Sequence, residues 1–194
     1  DEPAGLLEGT ASTFGPPADL AGDIIVEGAF SESLKRHAEQ GSSVAMLFSH
    51  AQDQPIGKWL EIAEDSDGLK VKGQLAKGVR QADECLKLAS MDALALSIGF
   101  HPVRQKAHKD ANYIEEVDLA EISLVAVPAN RRTNLSVKSL SSINDYQQFL
   151  RDAGLSVREA KRLARGGWQA FRGDEADMAD IAEWLRASAF RFRG

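Results

Sequence analysis

Apolar and polar side chains alternate along much of the first 140 residues, and a helical spacing replaces that alternation afterwards. Period two puts successive residues on opposite faces of a strand, whereas apolar positions three and four apart share one face of a helix. Leu69, Val71, Gly73 and Leu75 alternate with Lys70, Lys72 and Gln74, which predicts a strand with one wet face. Leu6 to Phe14 reads as an earlier strand, ended by Gly15-Pro16-Pro17, and Ile24-Ile25-Val26 is a short β-branched run. Val44, Met46, Phe48 and His50 share one face of a strand that runs to His50. Pro55 to Ile62 forms the next strand, and Glu64-Asp65-Ser66-Asp67-Gly68 carries a strong turn signal. Residues 94–101 and Tyr113 to Val127 are further strands, separated by a polar stretch from Gln105 to Asn112 that reads as a mobile loop. Helices are predicted from Phe30 to Glu39, with Ser31 or Ser33 near the start and Gly41 past the end, and over 79–90.

Beyond Ser141, Tyr146, Phe149 and Leu150, then Val157, Ala160 and Leu163, predict two short helices, with Gly154 as a break and Ser156 as an N-cap. Asp177 to Ala189 reads as a third helix, and no fixed-period repeat runs through the chain. The order is many strands with two interspersed helices, then a helical tail. This is a mainly β chain with helices, of the α+β class, and a compact β-barrel or closed sheet with attached helices fits it. Strict β-α-β alternation is absent, which argues against a doubly wound parallel sheet. The expected domains are a barrel over 1–140 and a helical C-terminal extension over 141–194.

Charge supports that boundary. Residues 1–140 carry 21 acids against 14 bases, and residues 141–194 carry 8 against 9. The formal net charge of −6 over 194 residues argues against the basic surface that nucleic acid requires. No apolar run reaches membrane-spanning length, and Asp1-Glu2-Pro3 lacks the basic start of a secretory signal. The opening without Met is expected of a processed or trimmed product. Cys85 is the single cysteine, so no intrachain disulfide forms and a reducing compartment is expected; on its amphipathic helix it reads as a small buried hydrophobe.

Three strand-like segments each place one chemically capable side chain among apolar ones: His50, Ser97 and Glu121. An imidazole, a hydroxyl and a carboxylate are the parts of acyl transfer, and chain order does not matter to such a triad. Ser97 shares its face with Ala95 and Gly99, which leaves space around the hydroxyl, while Leu94, Leu96, Ile98 and Phe100 form the bulky face. Each residue also has a plain structural reading. His50 can be a satisfied structural histidine, Ser97 an ordinary strand serine, and Glu121 the partner of an arginine or lysine on a neighbouring strand. His101 lies four residues past Ser97, about 13 Å along a straight strand. His37 reads as solvated among Lys35, Arg36 and Glu39, and His108 lies in the polar stretch. Scattered histidines and one cysteine give no zinc-ligand spacing, and no phosphate-binding or dinucleotide motif is present, so neither metal nor cofactor is expected.

The segments Glu8-Gly9-Thr10-Ala11-Ser12, Gly22 to Phe30, Phe48-Ser49-His50, Pro55-Ile56-Gly57, Asp67-Gly68-Leu69, Leu96 to Phe100, and Asp118 to Val125 with Pro128-Ala129-Asn130 together resemble the prohead maturation proteases of tailed bacteriophages. The resemblance covers roughly residues 5–135. It implies a fold similar to the herpesvirus assemblins, a β-barrel ringed by helices. It also implies a serine endopeptidase with His50 as base, Ser97 as nucleophile and Glu121 as the third member, where assemblins use a second histidine. The expected substrate is the scaffold segment of the major capsid protein, or a separate scaffold protein, and self-cleavage is also expected. The expected setting is the prohead in the bacterial host cytoplasm, as a homo-oligomer.

The family histidine is commonly followed by Asp or Asn; here Ala51 stands there, with Asp53 the nearest carboxylate. Assemblins place an arginine pair after the third catalytic residue to stabilise the oxyanion, and Arg131 or Arg132 could serve by analogy, against a reading as a solvated basic turn. The tail resembles C-terminal extensions on some of these proteases, which dock on scaffold or capsid or simply pack on the barrel. Two other classes remain open. A catalytically inactive capsid-assembly or scaffold factor would keep the fold without the chemistry, and a small-molecule-binding barrel would need a deep apolar pocket.

Overall fold

The computed structural model describes residues 5–138, 143–152 and 155–166. The chain divides into two compact units, Glu2–Ser139 and Leu140–Gly194, the latter grouped with Asp1. The first unit contains strands β1 (Leu6–Thr13), β2 (Asp23–Ile25), β3 (Ala45–Phe48), β4 (Pro55–Glu64), β5 (Gly68–Leu75), β6 (Ala95–Ala107), β7 (Asn112–Val125) and β8 (Asn134–Lys138). Helix α1 (Ser31–Gln40) joins β2 to β3, and α2 (Arg80–Ala89) joins β5 to β6. The strands form one sheet in the order β2-β7-β3-β4-β5-β1-β8, with β6 also on β7. This is the mixed, mainly β class that the sequence implies, with the sheet curled into a half-barrel. A single core cluster joins the strands to α1 and α2, including Leu7, Phe30, Met46, Ile56, Leu69, Leu96, Ile114, Leu119, Ile122 and Leu124. Among the described residues no helix is long and apolar enough to cross a membrane.

Strand β7 is the hub. β6 pairs antiparallel along one edge, from Ala107↔Asn112 to Ala95↔Val125. Two short parallel partners share the other edge: β2 at Asn112–Ile114 and β3 at Glu121–Leu124. Between them α1 and its approach supply the missing partners. The Val117 N–H donates to the Ala29 carbonyl at 3.0 Å. The Leu119 N–H donates to Ser33 Oγ at 2.9 Å, and His37 Nε2 donates to the Leu119 carbonyl at 2.9 Å. The reason is general: a buried strand edge cannot leave its N–H and C=O groups unpaired. Ser33 stands near the start of α1, as expected, and is fully buried against β7. His37, expected to be solvated, is half-buried, and its Nδ1 also meets Ser42 Oγ at 2.8 Å. At the other end of α1, Gly41 caps the helix in the left-handed conformation, φ 62°.

The polar stretch from Gln105 to Asn112 is only in part a loop. β6 continues to Ala107, and only residues 108–111 turn before β7 begins. Charge pairing across the two strands makes this exposed arm a hairpin. Arg104 reaches Glu115 at 3.2 Å and Glu116 at 2.9 Å, and Lys106 reaches Glu115 at 2.5 Å. The Lys106 ammonium, helped by Arg104, holds the Glu115 carboxyl below its usual range.

In the second unit α3 (Ile143–Asp152) packs against α4 (Val157–Gly166), and Leu150 and Ala160 are buried. Ser156 starts α4 with a capping box: its N–H donates to Glu159 Oε2 at 2.7 Å, and the Glu159 N–H donates back to Ser156 Oγ at 3.3 Å. The break expected at Gly154 and the helix expected over Asp177–Ala189 lie outside the described residues.

The α1 clamp is testable. Ser33→Ala orphans a buried backbone N–H on β7 and should lower unfolding stability by about 1–3 kcal/mol in urea titration. A change within experimental error would mean that water or a shifted helix serves Leu119 equally well.

Candidate active site

Residues aligned across neighbouring strands project to the same side of the sheet. On one side of β7 stand Glu121, Ser123 and Val125. Their partners on β6 are Gly99, Ser97 and Ala95, and on β3 Ala45 lies beside Glu121 and Leu47 beside Ser123. The register therefore places Ser97 directly across from Ser123 and Gly99 directly across from Glu121. Gly99 is a spatial requirement, because a Cβ there would collide with the Glu121 carboxylate.

His50 reaches this face from a turn. The expected strand through His50 stops at Phe48, and Ser49 and His50 both adopt the left-handed conformation, with φ 51° and 61°. Such backbone costs about 1–2 kcal/mol per non-glycine residue, so the surroundings must hold it. Three bonds do so. The Ser49 N–H donates to the Leu124 carbonyl at 3.0 Å, the Ala51 N–H closes onto the Phe48 carbonyl at 3.0 Å, and the His50 N–H donates to Ser123 Oγ at 3.0 Å. The turn aims the imidazole across β7, where Nδ1 meets Glu121 Oε1 at 2.5 Å. A carboxylate can only accept, so Nδ1 carries the proton of this bond. The imidazole side chain is 45% exposed and that of Glu121 only 11%. Glu121 Oε2 accepts the Ser123 hydroxyl at 2.6 Å. Among the described residues Glu121 forms no ion pair with arginine or lysine, which was its alternative reading.

Ser97 is nearly buried, in the row beside this pair, and no hydrogen bond joins it to His50 among the described residues. Catalytic contacts in unliganded enzymes are commonly long and tighten on substrate binding. His101 lies on the exposed arm beyond a bulge at Gly99/Phe100 and takes no part. Asp53 is exposed in the turn after His50. Arg132 is committed elsewhere: its guanidinium donates to the Phe14, Gly15, Pro16 and Pro17 carbonyls, closest at 2.6 Å to Gly15. Arg131 is exposed and makes no hydrogen bond or ion pair among the described residues. Cys85 is buried, and desolvation pushes its thiol up, which suits packing and not nucleophilic work. No cluster of metal-ligating side chains occurs among the described residues. A cleft of about 310 Å³ opens on β1, β4, β5 and β8, but Glu8, Glu61, Lys70 and Lys72 line it, and the His50 site is not part of it.

Ser123 and Gly99 were not singled out by sequence reasoning as working parts. The available signal was the i, i+2 pairing of Glu121 with Ser123 and of Ser97 with Gly99. Only the cross-strand register shows that these two pairs face each other.

An imidazole held through one nitrogen by a shielded carboxylate, with a serine on the same face of the sheet, provides the side-chain types used in acyl transfer. Comparison with known proteins identifies the class more closely: residues 1–149 match the caudovirus prohead serine protease family, and the chain belongs to that family. It is 35% identical to the prohead protease of Enterobacteria phage HK97 over 96% of this chain and 88% of that protein. It is 26% identical to the prohead protease of Escherichia phage T5 over 74% of this chain and 67% of that protein. Among solved structures it matches KSHV protease in complex with a hexapeptide phosphonate inhibitor, with a TM-score of 0.42 and 11% identity, covering 94% of this chain and 76% of that one. Varicella-zoster virus protease matches with a TM-score of 0.37 and 11% identity, covering 94% and 96%. The family that the sequence motifs resemble is thus the family of the chain, and its members are peptidases of phage capsid maturation.

Gly99 supplies a test of the site's geometry. Gly99→Ala should push the flexible Glu121 carboxylate away from His50 while the sheet still forms. Peptidase activity should then fall by about 10- to 100-fold, and the thermal midpoint should fall as well because the displaced buried carboxylate loses a donor. Full activity would mean that the carboxylate position is immaterial.

Proposed function

We propose that the protein is a serine endopeptidase of prohead maturation in which Ser97 is the nucleophile, His50 the general base and Glu121 the residue that orients it. The observation that carries this reading is the His50 Nδ1–Glu121 Oε1 contact at 2.5 Å on the sheet face that also bears Ser97. Ser97 Oγ attacks the scissile carbonyl carbon and gives its proton to His50 Nε2. The tetrahedral intermediate collapses as the C–N bond breaks, and His50 returns the proton to the leaving amine. Water then attacks the acyl-enzyme ester, gives one proton to His50, and the ester breaks to restore the Ser97 hydroxyl with that proton. Glu121 holds the Nδ1 tautomer throughout and stabilises the imidazolium. The serine, imidazole and carboxylate suffice for each step, so the mechanism calls on no metal or cofactor.

For the oxyanion, the Arg131–Arg132 pair divides its labour in this proposal. Arg132 fixes the turn by holding the carbonyls of residues 14–17, and Arg131 presents the charge. The substrate is the scaffold segment of the major capsid protein, or a separate scaffold protein, and the protease itself. Membership of the prohead protease family and the two phage relatives support that assignment. The enzyme works as a homo-oligomer inside the prohead, within the host cytoplasm. The region over 141–194 serves as an extension for docking on scaffold or capsid or for packing, and residues 1–140 form the protease domain.

Fluorophosphonate labelling with peptide mapping tests the chemistry. A single adduct on Ser97, suppressed in His50→Ala, is expected. Ser97→Ala should remain folded and lose cleavage of co-expressed capsid protein by on the order of 10⁴-fold or more. A Ser97→Ala variant that cleaves at the wild-type rate would sink the assignment. A wild-type protein that neither labels nor cleaves would point to the inactive assembly factor.

A further inference from the structure

Resting on that reading of the site, we propose that Ser123 is a positioning residue whose hydroxyl locks the His50 turn and the Glu121 carboxylate into one unit. Ser123 is fully buried and cannot meet substrate. Its Oγ makes two bonds of opposite sense: the hydroxyl donates to Glu121 Oε2 at 2.6 Å, and the oxygen accepts the His50 N–H at 3.0 Å. The directions are fixed by chemistry, because a carboxylate has no proton to give and an amide N–H can only donate.

Each bond controls a different freedom. The bond to Oε2 stops the carboxylate from turning about its last torsion, so Oε1 stays aimed at Nδ1. The bond from the His50 N–H holds the left-handed backbone at φ 61°, which sets the direction of the His50 Cβ and hence of the ring. The base comes from the turn after β3 and the orienting acid from β7, and one oxygen atom references both. That atom belongs to the residue paired directly with Ser97, so the same rung of the ladder carries the nucleophile. A serine there merely filling space would need neither partner.

The test compares Ser123→Ala, Ser123→Cys and Ser123→Thr in the full chain. Cysteine keeps the volume but has only a weak donor, whereas threonine keeps the hydroxyl. The readouts are the saturating rate and half-saturating concentration of fluorophosphonate labelling at Ser97, and the low-field proton NMR signal of His50 Nδ1–H, assigned with His50→Ala. For Ser123→Ala and Ser123→Cys the saturating rate should fall by about 10- to 100-fold, with the half-saturating concentration unchanged and the low-field signal lost. Ser123→Thr should restore both rate and signal. Wild-type labelling and an intact signal in Ser123→Cys would overturn the proposal even if Ser123→Ala fails to fold. An adduct on Ser123 in the wild type would also overturn it. Should the wild type lack any Ser97 adduct, the nucleophile assignment fails; the NMR signal still decides Ser123, since its loss in Ser123→Cys supports the proposal and its persistence defeats it.

Discussion

A carboxylate buried on a packed strand face is the constraint around which the site is arranged. Removing Glu121 from water costs several kcal/mol, on the order expected for any buried ion, unless donors replace the water. Both oxygens find one: the His50 imidazole at Oε1 and the Ser123 hydroxyl at Oε2. Room for the carboxylate comes from the missing side chain at Gly99. The imidazole in turn reaches Oε1 from a turn that two left-handed residues bend out of β3. Satisfying one buried charge thus involves β3, β6 and β7 together, and a change in any of them is felt at the imidazole.

The same logic governs the strand that carries the carboxylate. β7 is paired by β6 on one edge and by β2, α1 and β3 in succession on the other. The helix fills the interval that no strand covers, with Ser33 and His37 acting as substitutes for backbone partners. A strand clamped on both edges has little freedom to breathe, which suits a segment that must hold a carboxylate to within fractions of an ångström. By contrast the β6–β7 arm beyond Phe100 is exposed and depends on surface ion pairs, each worth little alone. Rigidity is concentrated where the site lies.

Period-two patterning was enough to read most strands, because local alternation reports which face is buried. It located β1, β5 and the core of β7, and it set Ser97 with Gly99 on the small face of β6. It failed where partners decide conformation. His50 looked like the end of a strand because alternation continues through Phe48; the turn exists because Ser123 and Leu124 supply acceptors from a strand some seventy residues away. The stretch from Gln105 to Asn112 looked like a loop because it is polar, yet the glutamates of β7 give its cations a reason to pair. His37 looked solvated because its helical neighbours are charged, while the group it serves belongs to β7. In each case the deciding contact is remote in sequence, and one chain without its register does not display it. The family resemblance grouped His50, Ser97 and Glu121 as an expectation; of the three, the structure joins His50 to Glu121 by a hydrogen bond and sets Ser97 on the same face of the sheet.

The uneven exposure of the imidazole–carboxylate pair follows from the topology and bears on chemistry. Glu121 points from the middle of a sheet whose neighbours cover it, so few waters compete for Oε1 and the contact with Nδ1 keeps its electrostatic strength. His50 hangs from a turn after β3, so its side chain stays far more exposed than that of Glu121. A strand-borne histidine could not combine these conditions: on β3 itself its ring would be as covered as Leu47, or would face the core like Met46. The left-handed turn places one nitrogen against a shielded acid and leaves the side chain half-exposed. The backbone strain at Ser49 and His50 is therefore best understood as the cost of that asymmetry, offset by the three bonds that hold the turn to β7 and to itself.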